Sequence, residues 1–191
     1  MNFFDFFVLL LIVFFSIFYV REQYTEVEYV KSSVDGEKYL VKAGENSQEV
    51  SDKLAKMNKK FLKIIKIAED EYPDDPRVIF MKDNYNSNQL SESTKDEKYT
   101  SYSVNKEKIL FCLIARDEKG KLIDDNTLTY VGVHELAHLA TDEIGHTDTY
   151  WGNFKWLLKI ARDNGLYLYE DYSINPKPYC GIKISSNILD N

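Results

Sequence analysis

The longest regular pattern of apolar and polar positions lies between Ser47 and Asp70, where apolar residues recur every three or four positions. This spacing predicts an amphipathic helix that ends before Pro73, and Pro76 is placed to open a second, short helix. The opposite face of the long helix carries six lysines: Lys53, Lys56, Lys59, Lys60, Lys63 and Lys66. We interpret them as a solvated face, with a partner surface as the alternative.

Two more helices are predicted further along the chain. Asp124, Asp125 and Asn126 are N-cap candidates for a helix that runs through Leu139, and its apolar residues lie all around it, which is typical of a buried helix. Thr147 or Asp148 can cap the next helix, which Asn164 and Gly165 are suited to end.

Strand patterns fill much of the remainder. Short strands are expected at 27–30 and 39–41 around the turn at Asp35-Gly36, and residues 99–104 and 108–115 are expected to pair across a turn at Asn105-Lys106. Residues 84–98 and 116–120 have the composition of a loop and a turn, and a short strand is expected at 182–184.

The N-terminus is dominated by the apolar run from Phe6 to Val20. Its length is near the lower limit for a membrane span, and it lacks the basic start and the small-residue cleavage site of a signal peptide. The sequence therefore predicts a transmembrane anchor at 1–21, a stalk or linker at 22–46 and a folded domain at 47–191. Arg21 and the lysines beyond it place that domain in the cytoplasm by the positive-inside rule.

Composition narrows the classes of partner. The net charge of −7 argues against a broad nucleic-acid surface, which requires clustered basic residues. The 2 cysteines, Cys112 and Cys180, are too few for a disulfide framework, and the sequence leaves open whether they pair with each other.

The candidate chemistry lies in the motif His134-Glu135-Leu136-Ala137-His138. A helix places histidines at i and i+4 on one face, where both imidazoles can bind one Zn²⁺, and Glu135 between them can serve as a general base. The chain has only 3 histidines, and the third, His146, follows after Gly145. A third ligand six residues after His138 is excluded, because that position is Ile144. His146 is favoured over the remaining candidates, which are Asp142, Glu143 and Glu170.

The motif, together with Gly145-His146-Thr147-Asp148 and the aromatic residues Tyr150, Trp151 and Phe154, resembles the WLM family of zincin-like metallopeptidases, which is related to the SprT-like proteases. The resemblance covers residues 99–165, about a third of the chain. It implies a compact α+β fold with a zincin-like core, zinc held by His134, His138 and His146, and Glu135 as the general base. Residues 109–113 resemble the edge strand that this family places above the cleft.

These features predict a membrane-anchored zinc metalloendopeptidase whose substrate is a protein or peptide. The segment 108–115 is expected to bind an extended substrate by strand addition. Asp148 is a candidate partner for a ligand histidine, or simply a helix cap, and Tyr130, Tyr150, Tyr172 and Tyr179 are candidate oxyanion donors among which none is preferred. The alternative function is a non-catalytic, membrane-tethered binding module with a structural zinc. Another class of hydrolase with the same histidine motif, the deformylases, is disfavoured. Deformylases add a cysteine ligand from a separate motif, and the surroundings of Cys112 do not resemble that motif.

Overall fold

The computed structural model describes residues 3–24, 27–93, 101–104, 106–115 and 121–190. The fold is α+β, and its elements follow in the order α1 (Phe3–Tyr24), β1 (Val27–Lys31), β2 (Lys38–Lys42), α2 (Ser47–Glu71), α3 (Pro76–Asn84), β3 (Leu90–Glu92), β4 (Ser101–Val104), β5 (Lys108–Phe111), α4 (Asp125–Leu139), α5 (Asp148–Asp163), β6 (Lys177–Tyr179) and β7 (Ile182–Ile184). Short 3₁₀ turns occur at Ser87–Gln89 and Ile188–Asp190. The predicted turn at 116–120, and residues 99, 100 and 105 of the predicted strand pair, lie outside the described residues.

Five strands form the main sheet in the order β1-β2-β3-β5-β4. The outer pairs, β1 with β2 and β4 with β5, are antiparallel, whereas β3 pairs parallel to both β2 and β5. β1 and β2 fall inside the range 22–46 that was expected to be a stalk. They belong to the sheet instead, because Tyr39 and Val41 of β2 are buried in the same core as the helices.

The core lies between the sheet and the long amphipathic helix. α2 contacts β1, β2 and β3 on one side and α4 on another, and α5 packs against α4. α2 and α4 approach closely at Gly132, where an added Cβ would lie 2.7 Å from the Met57 Sδ and 3.0 Å from the Phe61 Cε1. This arrangement buries α4, as its apolar pattern predicts, and holds it rigidly behind the sheet.

The prediction of a transmembrane helix is wrong, and so are the single-pass topology and membrane location derived from it. In the part of the chain that the structure describes, no helix is long and apolar enough to cross a membrane. The apolar run within α1 is about 15 residues, so it extends roughly 22 Å at 1.5 Å per residue, against about 30 Å of hydrocarbon. Asp5 near the start of α1, and Arg21 and Glu22 near its end, limit the apolar stretch.

The two cysteines form a disulfide between Cys112 and Cys180. Cys112 follows β5, and Cys180 occupies the turn between β6 and β7 with a positive φ of 49°. The bond therefore fastens the C-terminal hairpin to the end of a central strand.

Candidate metal centre

His134 and His138 lie one turn apart on α4, and their ring centroids are 5.3 Å apart. The helix starts where the sequence predicts, because the Asp124 carboxylate accepts hydrogen bonds from the backbone N–H groups of Asn126 and Thr127. Burial of α4 between its neighbours fixes which face it turns toward the site.

His146 reaches the same site from the loop that follows α4. Gly145, with a φ of 90°, adopts the left-handed conformation that allows the chain to turn back at this point. As a result the Nε2 of His146 lies 3.2 Å from the Nε2 of His134, and one ring nitrogen from each of the three histidines lies within 4.8 Å of the others. Ligand nitrogens of a tetrahedral zinc, at about 2.0–2.1 Å from the metal, are roughly 3.3 Å apart, so the His134–His146 separation matches that of two zinc ligands.

The three carboxylates that are alternative candidates for the third ligand are not part of this group: Asp142, Glu143 and Glu170. In the described part of the chain, the three histidines are the only cluster with metal-binding spacing. Glu170 is held elsewhere by Lys177 and Asn126, and Glu143 accepts a hydrogen bond from the Thr149 hydroxyl.

The surroundings of the histidines favour their neutral form, which is the form that binds a metal. Burial, reinforced by the charges of His138 and His146, lowers the pKa of His134 to about 3. Burial and the charge of His146 also lower the pKa of His138 to about 4, with a further contribution from Lys106. Both imidazoles are therefore unprotonated at neutral pH.

Glu135 is 2% exposed, and its Oε2 is the only buried side-chain polar atom without a hydrogen-bond partner among the described residues. Burial raises the pKa of its carboxyl group to about 8. A buried polar atom without a partner is costly, so its presence in a packed helix requires an explanation. Glu135 directly follows His134, so it lies on the helix that carries two of the three histidines.

Aromatic rings from α5 surround the imidazoles. The Tyr150 ring stacks on His138 at 4.3 Å between centroids, the Trp151 ring stacks on His146 at 5.3 Å, and the Phe154 ring meets His134 edge-on at 5.3 Å. Thr147, rather than Asp148, caps α5 and thereby sets the position of these rings. The i, i+1, i+4 spacing of the three aromatic residues is the sequence signal for this cluster.

The four tyrosines considered as oxyanion donors differ in their position. The Tyr150 hydroxyl donates to the main-chain oxygen of His134 at 3.2 Å, so this residue contacts the site directly. The Tyr130 hydroxyl bonds to the backbone of Ser186 and Ile188, and the Tyr172 hydroxyl accepts from Tyr167. The Asp148 side chain makes no hydrogen bond among the residues that the structure describes, so it does not orient a ligand ring here.

Sequence reasoning missed Lys106, which lies in the turn between β4 and β5 with a φ of 61°. Its Nζ donates to the main-chain oxygen of Thr141 at 2.7 Å, just beyond the C-terminal end of α4. The lysine thus ties the strand hairpin to the end of α4, the helix that carries His134 and His138. The predicted Asn105-Lys106 turn located the residue, but the pattern gave no sign of its contact with Thr141.

The expectation that residues 109–113 form an edge strand is wrong. β5 is paired on both sides, with β3 and with β4, and residues 113–115 bond to 121–123. The edge of the sheet on this side is β4, which contacts α4. Strand addition by an extended ligand would therefore have to use β4.

The chain is similar to several proteins encoded by viruses. It is 33% identical over 190 residues to the uncharacterized protein R325 of Acanthamoeba polyphaga mimivirus, covering 95% of this chain and 94% of that protein. The chain belongs to the R325 family. Shorter similarities occur to the uncharacterized proteins 136R of Invertebrate iridescent virus 6, 38% over 85 residues, and 042R of Invertebrate iridescent virus 3, 42% over 72 residues. The first covers 43% of this chain and 47% of the relative, and the second covers 37% and 44%.

No protein-family model and no solved structure matches the chain. The resemblance to the WLM family and the zincin-like core therefore stay predictions that rest on the motif and on the site geometry.

Proposed function

We propose that this member of the R325 family is a zinc-dependent peptidase. One observation carries the proposal: three histidine nitrogens converge within 4.8 Å beside a buried carboxylate oxygen that has no partner among the described residues. Three protein ligands with an open fourth position are typical of catalytic rather than structural zinc.

His134, His138 and His146 would hold the ion, and zinc bound there supplies Lewis acidity toward a carbonyl group and lowers the pKa of water. With the ion in place, its positive charge would favour the ionised form of Glu135, and that carboxylate would accept a proton from the attacking water at its unpaired Oε2 and return the proton to the leaving amine. The packed rings of Tyr150 and Trp151 hold His138 and His146 in place, so the ligand geometry is preorganised.

A structural zinc in a non-catalytic module explains these features less well. A structural site has no use for a general base, and its four protein ligands close the coordination sphere. Here the cluster consists of three histidines among the described residues, and His146 is exposed. The buried Oε2 of Glu135 has no hydrogen-bond partner among those residues, which costs free energy.

The test compares the zinc-loaded full chain with Glu135→Gln on a library of unstructured peptides, with cleavage followed by mass spectrometry. The amide preserves the shape of the side chain but cannot accept the proton. We expect Glu135→Gln to keep its zinc and to lose about 10²–10⁴-fold in hydrolysis rate.

Glu143→Gln is the matched control, because Glu143 is an exposed carboxylate outside the histidine cluster. It should cleave like the wild type. Equal cleavage by Glu135→Gln, or no cleavage by a wild-type chain that does hold zinc, would refute the peptidase proposal.

A further inference from the structure

A lysine-lined pocket, separate from the histidine cluster, opens between α2 and the first turns of α4. Its volume is about 230 Å³, and it is lined by Lys53, Lys56, Met57, Lys59, Lys60, Asp125 and Leu128. Met57 and Leu128 are buried, so the pocket has an apolar side as well as a charged one. None of its residues belongs to the metal centre.

The charges in this pocket do not balance. Asp125 pairs with Lys53 at 2.5 Å, and no other carboxylate among the residues that the structure describes pairs with the remaining three lysines. The Nζ of Lys60 is held by the Thr129 hydroxyl at 2.5 Å, and that of Lys59 by the Val34 carbonyl at 2.7 Å. Both partners are neutral, so they do not offset the positive charge of these lysines. The pocket is therefore locally basic, although the net charge of the whole protein is −7.

Lys56 and Lys60 show the consequence of this imbalance. Lys56 is exposed at the rim of the pocket, and its side chain makes no hydrogen bond or ion pair among the described residues, although its charge acts on Asp125. Burial lowers the pKa of Lys60, and the charges of Lys53 and Lys56 act in the same direction against the opposing effect of Asp125. An anion in the pocket would relieve this repulsion and give Lys56 a partner.

We propose that this pocket binds a small phosphate-containing anion, of the size of pyrophosphate or a short phosphate ester. Lysine is a point-charge binder of phosphate, and a multiply charged anion matches the three unbalanced ammonium groups. The volume lies below the roughly 300–1,000 Å³ of sites for drug-sized ligands, which favours a small ligand over a large one.

The test is isothermal titration of pyrophosphate into the full chain, with Lys56→Gln compared against Lys63→Gln. Both variants remove one charge from an exposed position of α2, but Lys63 does not line the pocket. We expect one saturable site, an approximately tenfold weaker dissociation constant for Lys56→Gln, and no more than about a twofold change for Lys63→Gln.

Two further arms separate the proposal from its competitors. His134→Ala should bind pyrophosphate like the wild type, because the pocket is distinct from the metal centre; loss of binding there would place the ligand at the histidines. Citrate should bind more weakly than pyrophosphate. Equally tight citrate binding, equal effects of the two lysine variants, or no saturable binding would each overturn the assignment.

Discussion

At the scale of single residues, Gly132 sets the distance between α2 and α4. A Cβ at this position would lie 2.7 Å from the Met57 Sδ and 3.0 Å from the Phe61 ring, both closer than van der Waals contact allows. Met57 can rotate away, but Phe61 is fully buried in the core. The glycine therefore positions the helix that carries His134 and His138.

We expect Gly132→Ala to lower the free energy of unfolding by about 1–3 kcal/mol, the usual cost of overpacking. Gly152→Ala is the control, because no atom lies within 4 Å of an added Cβ in α5 and alanine favours a helix. Urea denaturation should show Gly152→Ala unchanged or more stable by up to about 1 kcal/mol. Equal destabilisation by both substitutions would show that close packing at Gly132 is not the cause.

At the scale of elements, β3 links the two halves of the sheet. It is only three residues long, and its contact with β2 has a single register pair, Leu40 with Ser91. The carboxylate of Glu92 extends this contact by accepting a hydrogen bond from the Lys42 backbone N–H at 2.6 Å. Because Glu92 is only 2% exposed, its carboxyl group must be buried for this hydrogen bond to form.

Burial raises the pKa of Glu92, and the hydrogen bond and charge of Lys42 only partly oppose it. The folded chain therefore holds this proton more tightly than the unfolded chain, whose glutamate pKa is about 4.3. Stability from Glu92 is complete below that value and is lost as the pH rises through the folded-state pKa. Glu92→Gln has no such titration. Urea denaturation from pH 4 to pH 8 should therefore show the free energy of unfolding of the variant rising relative to that of the wild type. A constant difference across the range would contradict this expectation.

The elements differ in how far sequence alone could predict them. The Asp124 cap and the spacing of His134 and His138 depend on local rules, and the structure has both as predicted. β3 was missed because Leu90-Ser91-Glu92 is too short to show a periodicity, and it is a strand only through its two neighbours. The same missed strand explains the error about β5, whose inner position depends on that long-range pairing. The membrane prediction failed because it relied on apolar composition in a run at the lower length limit.

At the scale of the whole molecule, the disulfide joins distant parts of the chain. Cys112 and Cys180 are 68 positions apart, and the loop that they close contains α4, His146 and α5. Local sequence could not predict this pairing, because Cys112 lies in an apolar run and resembles an ordinary buried thiol. The bond makes the C-terminal hairpin a part of the fold that holds the metal centre.

We expect the double substitution Cys112→Ser and Cys180→Ser to lower the free energy of unfolding by about 2–5 kcal/mol, since it releases a long closed loop. Urea denaturation with and without dithiothreitol provides the measurement, and the reductant should destabilise the wild type but not the double variant. A wild-type chain with two titratable thiols under non-reducing conditions would contradict the disulfide.

Elemental analysis of the purified full chain shows whether His134, His138 and His146 bind zinc together. About one zinc per chain is expected, the ratio that a single catalytic site requires. His146→Ala should lose most of this zinc, while Glu143→Ala, which removes the neighbouring carboxylate that the sequence left as an alternative ligand, should retain it. A folded wild-type chain without zinc, or full zinc content in His146→Ala, would contradict the account.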